Sequence, residues 1–342
     1  MTTLVTGASG FIGLALVREL VARGEAVRAL VRRTSDVAPL RELHIELAYA
    51  DIREEALWPA VEGCERIYHL AAMLRLPRKR RRQPRPEAQM ALVNVEGTRL
   101  VLGAARDHRV AKVVHVSSVA AIGEAPGETA NETTRHRGYF YSEYERTKYL
   151  AEQEAQEAAG RGLTVVPVCP SIVVGPGERD ALAEVVARFL NWGRSIWLPD
   201  PVLPLVGLDD TVVGLMRAME RGLSARRYIL NSENLRLTEF LSLVAEAAGV
   251  QQRAYPLPAW AWSLPAGFLY RVTGALGPQR LHYWLTRAIH GAAFDAPRAR
   301  DGLEVRFTPI REVLPGMLVS LVERGLVRRE LPGLATQMVR PE

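Results

Sequence analysis

Residues 3–13 read Thr3-Leu4-Val5-Thr6-Gly7-Ala8-Ser9-Gly10-Phe11-Ile12-Gly13. The opening residues are an apolar run of strand length, and a helical period follows to about Arg23, where Gly24 stops it. Between the two, Gly7, Gly10 and Gly13 recur at a spacing of three. One glycine permits a tight strand-to-helix turn. The next has no Cβ and lets a pyrophosphate approach the backbone amides, and the last lets helix and strand pack closely. Gly7, Ser9, Gly10, Phe11, Ile12 and Gly13 are therefore the expected cradle of a dinucleotide.

Strand and helix periods alternate from there. The runs 26–31, 45–48, 66–70, 112–116 and 164–168 read as further strands. Helical periods lie at 57–61, about 87–107 and 141–159. Short apolar runs alternating with helices predict an α/β chain, a Rossmann-type doubly wound parallel sheet. Beyond Pro170 the rhythm loosens: 178–191 and 238–248 read as helices and 227–230 as a late strand. Prolines at 199, 201, 204, 256, 258 and 265 are expected to break the rest into short elements. The expected division is a dinucleotide-binding domain over 1–170. Residues 171–342 then form mainly a smaller substrate-capping lobe, with excursions back to the main sheet.

At 342 residues and 48% hydrophobic, the chain can bury a sizeable core. Cys64 and Cys169 offer no disulfide framework and no metal-ligand spacing, which fits a reducing, cytoplasmic compartment. Met1-Thr2-Thr3 leads straight into the first strand, so no signal peptide is expected. The apolar stretch 257–276 is interrupted by Pro258, Pro265 and Arg271. It suits a core or a substrate wall rather than a membrane span.

The net charge of +6 comes from one place, because residues 75–86 hold seven cations and no acid. A nucleic-acid binder spreads its basic footprint along a face or helix, so no nucleic-acid partner is expected. The basic stretch is either a solvated loop or an anion-attracting site beside the ligand crevice, with no acid to neutralise it. Only Lys79, Lys112 and Lys148 are lysines among 44 basic residues. A chain so poor in lysine that places one four residues after Tyr144 points to a need for an amine there.

Tyr144 and Lys148 lie one helical turn apart. A nearby ammonium favours the phenolate, so the pair can move a proton to or from an alcohol oxygen. Ser117-Ser118 ends the fifth strand, where a hydroxyl can polarise that oxygen, Ser118 being favoured for it over Ser117, or the serines satisfy the strand end. The second strand ends in Arg32-Arg33 with no acid before Asp36, which favours the 2′-phosphate of NADP over the 2′-hydroxyl of NAD. Asp51 and Ile52 are placed for the adenine edge. Leu70, Ala71 and Ala72 leave room for the cofactor to pass. Asn94, in the middle of a helix, reads as a structural bond to a neighbouring strand. His69, His115 and His136 have no metal spacing, and no metal is expected.

The segments TGASGFIG (6–13), DI (51–52), HLAA (69–72), NVEGT (94–98), HVSSVAAIG (115–123), YERTK (144–148) and CPSIVVGPG (169–177) occur in a telling order. It resembles that of the extended short-chain dehydrogenase/reductase family, the NAD-dependent epimerase/dehydratase group. Within it the chain looks most like the dihydroflavonol-reductase-like and 3β-hydroxysteroid-dehydrogenase-like branch. The resemblance implies a catalytic set of Ser118, Tyr144 and Lys148, with the nicotinamide held by the backbone around Pro170, Ser171 and Val173. It also implies a homodimer formed through the helices near 87–107 and 141–159.

Three readings follow. The first is an NADP-dependent oxidoreductase, with NAD possible, that interconverts a secondary alcohol and a ketone on a medium-sized apolar small molecule. The second is a nucleotide-sugar epimerase or dehydratase that retains its NAD. The third is a non-catalytic dinucleotide sensor, against which an intact Ser, Tyr and Lys set argues.

Overall fold

The computed structural model describes residues 2–75, 85–124, 127–178, 180–257 and 293–334. Its strands are β1 (Thr2–Thr6), β2 (Ala26–Val31), β3 (Glu46–Tyr49), β4 (Cys64–His69), β5 (Lys112–Val116), β6 (Thr129–Ala130) and β7 (Val165–Pro170). β8 (Ile172–Val174), β9 (Ile196–Leu198), β10 (Val202–Gly207), β11 (Tyr228–Leu230), β12 (Glu233–Arg236), β13 (Ala254–Pro256) and β14 (Ala293–Phe294) follow. Seven of them form one sheet in the order β11-β7-β5-β4-β1-β2-β3, and every pairing in it is parallel. The order reverses between β1 and β4, and in open α/β sheets a ligand crevice lies at the strands' carboxyl ends where the order reverses.

Side-chain alternation divides the sheet's apolar residues between two cores. Val5, Ala29, Val31 and Val114 point to one face, where the helices Phe11–Ala22 and Leu208–Arg221 bury Leu16, Leu20, Leu215 and Met219 against them. Leu4, Leu30 and Val113 point to the other, against Val101 and Leu102 of the helix Gly97–Asp107 and Ala155 of the helix Glu143–Gly160. Runs buried on both faces are what a parallel sheet demands. A third core lies apart. It joins β10 to the helices Ala181–Trp192, Leu237–Ala248 and Ile310–Glu323 through Phe189, Leu205, Phe240 and Met317. Between these parts the chain returns to the main sheet as β11.

Several local expectations need correction. The helix expected from 141 begins at Glu143, because the Ser142 hydroxyl accepts from the Glu145 amide and caps it. The helix expected over 87–107 is Pro86–Ala91 and Gly97–Asp107 joined by a π turn, Leu92–Glu96. Pro204 does not break its segment. It lies inside β10, beyond the residues that pair with β8, so on that side no strand asks it for an N–H. The helices Leu208–Arg221 and Ile310–Glu323 were not anticipated. Of the basic stretch, 76–84 lie outside the described residues, as do 258–276 of the apolar stretch. Arg75 is not free of acids: it lies 3.5 Å from Asp180 and 3.6 Å from Glu184.

Candidate active site

The glycine turn is shaped by close approaches. Gly7 has φ +71°, and a Cβ there would stand 2.8 Å from the Ala71 amide nitrogen at the end of β4. A Cβ on Gly13 would stand 2.2 Å from the Gly7 carbonyl oxygen. Neither position admits a side chain without moving backbone. Gly10 starts the helix Phe11–Ala22 and offers no side chain to its first-turn amides, leaving that end open to an anion. Ser9 and Gly10 are exposed, Phe11 and Ile12 half-buried, and Gly13 buried. This cradle fits a dinucleotide's pyrophosphate.

Arg32 and Arg33 stand exposed where β2 ends, and the Arg32 amide donates to Ser35 Oγ at 3.2 Å. Asp51 is gripped by Arg53 through both carboxylate oxygens, at 3.0 and 2.7 Å. That hydrogen bonding, aided by the charge of Arg32, holds its carboxyl below the usual range. Ile52 is buried under the helix Gly97–Asp107, at a point where a Cβ on Gly97 would be 2.7 Å from its Cδ1.

Leu70, Ala71 and Ala72 leave β4 half-buried beside a directed hydrogen-bond chain. The Ala71 amide donates to Thr6 Oγ1 (3.2 Å), which donates to His69 Nδ1 (2.7 Å). His69 Nε2 then donates to Thr98 Oγ1 (2.9 Å), which donates to the Asn94 carbonyl (2.7 Å). Burial pushes the His69 imidazole down to about 3, so it is neutral. The Asn94 side chain is fastened to the neighbouring segment: Oδ1 accepts from the Met73 amide (2.6 Å), and Nδ2 donates to the Met73 carbonyl and to Thr147 Oγ1 (both 3.0 Å).

Tyr144, half-buried, lies in the first turn of the helix Glu143–Gly160, with Lys148 one turn further on. Lys148 Nζ donates to the Val116 carbonyl at the end of β5 (2.8 Å), and its burial lowers it to about 8. Ser118 follows two residues after that carbonyl. Its Oγ accepts from the Ala120 amide at 3.2 Å, which leaves its own hydrogen free to donate. Ser117 turns the other way, donating to the buried Glu152 at 2.7 Å. Pro170 closes β7, Ser171 is buried with its amide on the Leu230 carbonyl (2.9 Å), and Val173 lies in β8. The family description NAD dependent epimerase/dehydratase family matches residues 3–230.

The chain belongs to that family.

It is an NAD(P)-dependent oxidoreductase of the extended short-chain dehydrogenase/reductase type. It is similar to sterol demethylase protein B of Methylococcus capsulatus, 34% identical over 96% of this chain and 100% of that protein. A putative dihydroflavonol 4-reductase of Synechocystis sp. is 34% identical over 80% of this chain and 79% of its own length. The crystal structure of gox2253 superposes with a TM-score of 0.81 at 31% identity, covering 96% of this chain and 99% of that one. Among the described residues of this epimerase/dehydratase-family chain, no helix is long and apolar enough to cross a membrane, and no His, Cys, Asp and Glu group is placed to hold a metal.

Some of the enzyme's polar groups were not foreseen. The buried Arg137 guanidinium bonds Glu145 (2.5 Å) and lies 4.0 Å from the centre of the Tyr141 ring. Burial and a hydrogen bond shared with Tyr139 push the Tyr141 phenol up to about 12. Arg137 carried no spacing signal. Glu152 stands four residues after Lys148, and that interval is the one clue the sequence held.

Proposed function

We propose that this enzyme is an NADP-dependent oxidoreductase that interconverts a secondary alcohol and a ketone on a medium-sized apolar substrate. One observation carries the reading: a buried lysine, one helical turn from Tyr144, is fixed to the end of β5 at Val116, two residues before Ser118. When bound, a nicotinamide supplies or accepts the hydride at the carbinol carbon. In the reducing direction Tyr144 gives its phenolic proton to the developing alkoxide. Lys148, held by Val116, favours the phenolate that remains, and Ser118 donates its free hydroxyl hydrogen to the same oxygen. Gly7, Ser9, Gly10, Phe11, Ile12 and Gly13 would hold the pyrophosphate. Leu70 to Ala72 and the segment Pro170, Ser171 and Val173 would flank the nicotinamide side, with Asp51 and Ile52 at the adenine edge.

The choice of NADP rests on Arg32 and Arg33, two exposed cations at the end of β2, where a ribose 2′-phosphate would lie. The names of two relatives, a sterol demethylase protein and a dihydroflavonol 4-reductase, support a fused-ring, weakly polar substrate. We place the protein in the cytoplasm, where its two buried thiols stay reduced. We also propose a homodimer whose face comprises the helix Glu143–Gly160 and the segment 86–107, where Leu92 is exposed. A panel of fused-ring ketones with NADPH oxidation as readout tests the activity. Tyr144→Phe should abolish turnover and leave NADPH affinity near wild type. Tyr141→Phe should be mild, because that ring is engaged with Arg137 and Tyr139. NAD(H) retained through purification, with no NADPH turnover on any ketone, would favour the epimerase reading instead.

A further inference from the structure

One buried carboxylate has no part in the reaction as described. Glu152 is fully buried one turn beyond Lys148, so Tyr144, Lys148 and Glu152 descend one side of the helix. Its oxygens reach three other parts of the main sheet. Oε2 accepts from Ser117 Oγ of the β5 end at 2.7 Å and from Cys169 Sγ of β7 at 3.6 Å. Oε1 lies 2.7 Å from Arg227 Nη2, just before β11. The residues 116–118 are thus used in turn: the Val116 carbonyl for Lys148, the Ser117 hydroxyl for Glu152, and the Ser118 hydroxyl for the site.

A buried ion pair is poor value as a source of stability, since apolar side chains of the same volume pack as well. The surroundings of Lys148 give this one a use. Electrostatically, Lys148 is faced by His69 from β4, His115 from β5, Cys169 from β7, and Glu152 on its own helix. Burial keeps both imidazoles uncharged and holds the Cys169 thiol protonated. Among these groups Glu152 is the one carboxyl, and its Oε1 meets the Arg227 guanidinium.

We propose that Glu152 is a positioning residue that clamps the end of β5 through Ser117 and supplies the buried counter-charge that keeps Lys148 an ammonium. The inference rests on the role given to Lys148 above. Its test does not depend on turnover. The chain has only three lysines, so carbon-13 lysine NMR of the full chain is assignable with Lys79→Arg and Lys112→Arg. Glu152→Gln keeps the shape and removes the charge. Lys148 should then titrate lower than in wild type by about 1–3 units, as for the loss of an opposite charge one helical turn away. Lys112 should not move. That variant leaves Arg227 without its anion, so Glu152→Gln with Arg227→Met is the companion if the single change does not fold, and there the fall should persist. Glu152→Asp should restore part of it. An unchanged Lys148 titration in either folded variant would overturn the proposal, whereas turnover by Tyr144→Phe would overturn only the reading beneath it.

Discussion

Replacing Asn94 by alanine tests whether the π turn is held by the contacts seen there. Asn94 is 2% exposed, and its amide makes three bonds, two to the Met73 backbone and one to Thr147. The substitution strips the Met73 amide and carbonyl of their partners together. Thr147 keeps its bond to the Tyr144 carbonyl at 3.1 Å. Each partly buried backbone group left unpaired costs about 1–3 kcal/mol, so the loss should be about 2–6 kcal/mol. Asn94→Asp should fare no better, because it presents a carboxylate oxygen to the Met73 carbonyl. Met73 follows the β4 exit, and Thr147 sits between Tyr144 and Lys148. Both cofactor affinity and turnover should therefore fall. Urea unfolding followed by circular dichroism reads the stability, and cofactor titration reads the affinity. A change under about 0.5 kcal/mol would refute the reasoning, since surface positions without such bonds behave that way.

Other outcomes are expected with equal definiteness. Arg32→Ala with Arg33→Ala should weaken NADPH by about 1–3 kcal/mol, roughly 5- to 140-fold, and leave NADH nearly unaffected; fluorescence titration showing that wild type prefers NADH would refute the assignment. Glu178 is buried, and neither of its carboxylate oxygens has a hydrogen-bond partner among the described residues; burial, then the neighbouring Asp180, raises it to about 8. Folding then favours its protonated form, a contribution present below the unfolded value near 4.5 and lost as pH rises through about 8. Glu178→Gln should match wild type in thermal unfolding at about pH 4 and exceed it at about pH 9; an equal gap at both pH values would contradict this. Light scattering at micromolar concentration should give the mass of a homodimer, and a monomeric mass would remove the proposed helical interface.

The parts of the fold legible in the sequence were those whose cause is local. The glycine turn, the strand run 26–31 and the Tyr144 to Lys148 interval carry their own geometry, and the sheet follows from their alternation. The helix Leu208–Arg221 escaped notice because Thr211, Val212, Val213 and Gly214 imitate a strand ending in a turn. In the fold, Gly214 lets that helix lie close on the sheet, where a Cβ would be 2.6 Å from Leu230. Pro315 hid the helix Ile310–Glu323 in the same way. Ile310, Leu314, Met317 and Leu321 bury enough apolar surface to offset the missing hydrogen bond. The π turn, the Arg137 stack and the Glu152 clamp carry no such local signal. The π turn and the clamp are set by partners far along the chain, whereas the Arg137 partners Tyr141 and Glu145 are only four and eight residues on but follow no helix or strand period.

The chain of bonds from the Ala71 amide through Thr6, His69 and Thr98 to the Asn94 carbonyl runs in one direction throughout. Such a set behaves as a vocabulary with grammar rather than as separate words. A change at Thr6 leaves His69 Nδ1 and the Ala71 amide without that partner together, and a change at His69 takes the acceptor from Thr6 and the donor from Thr98. Descendants of this chain can therefore alter these positions only in concert, so divergence there should arrive in rare joint steps while the exposed residues around it drift one at a time.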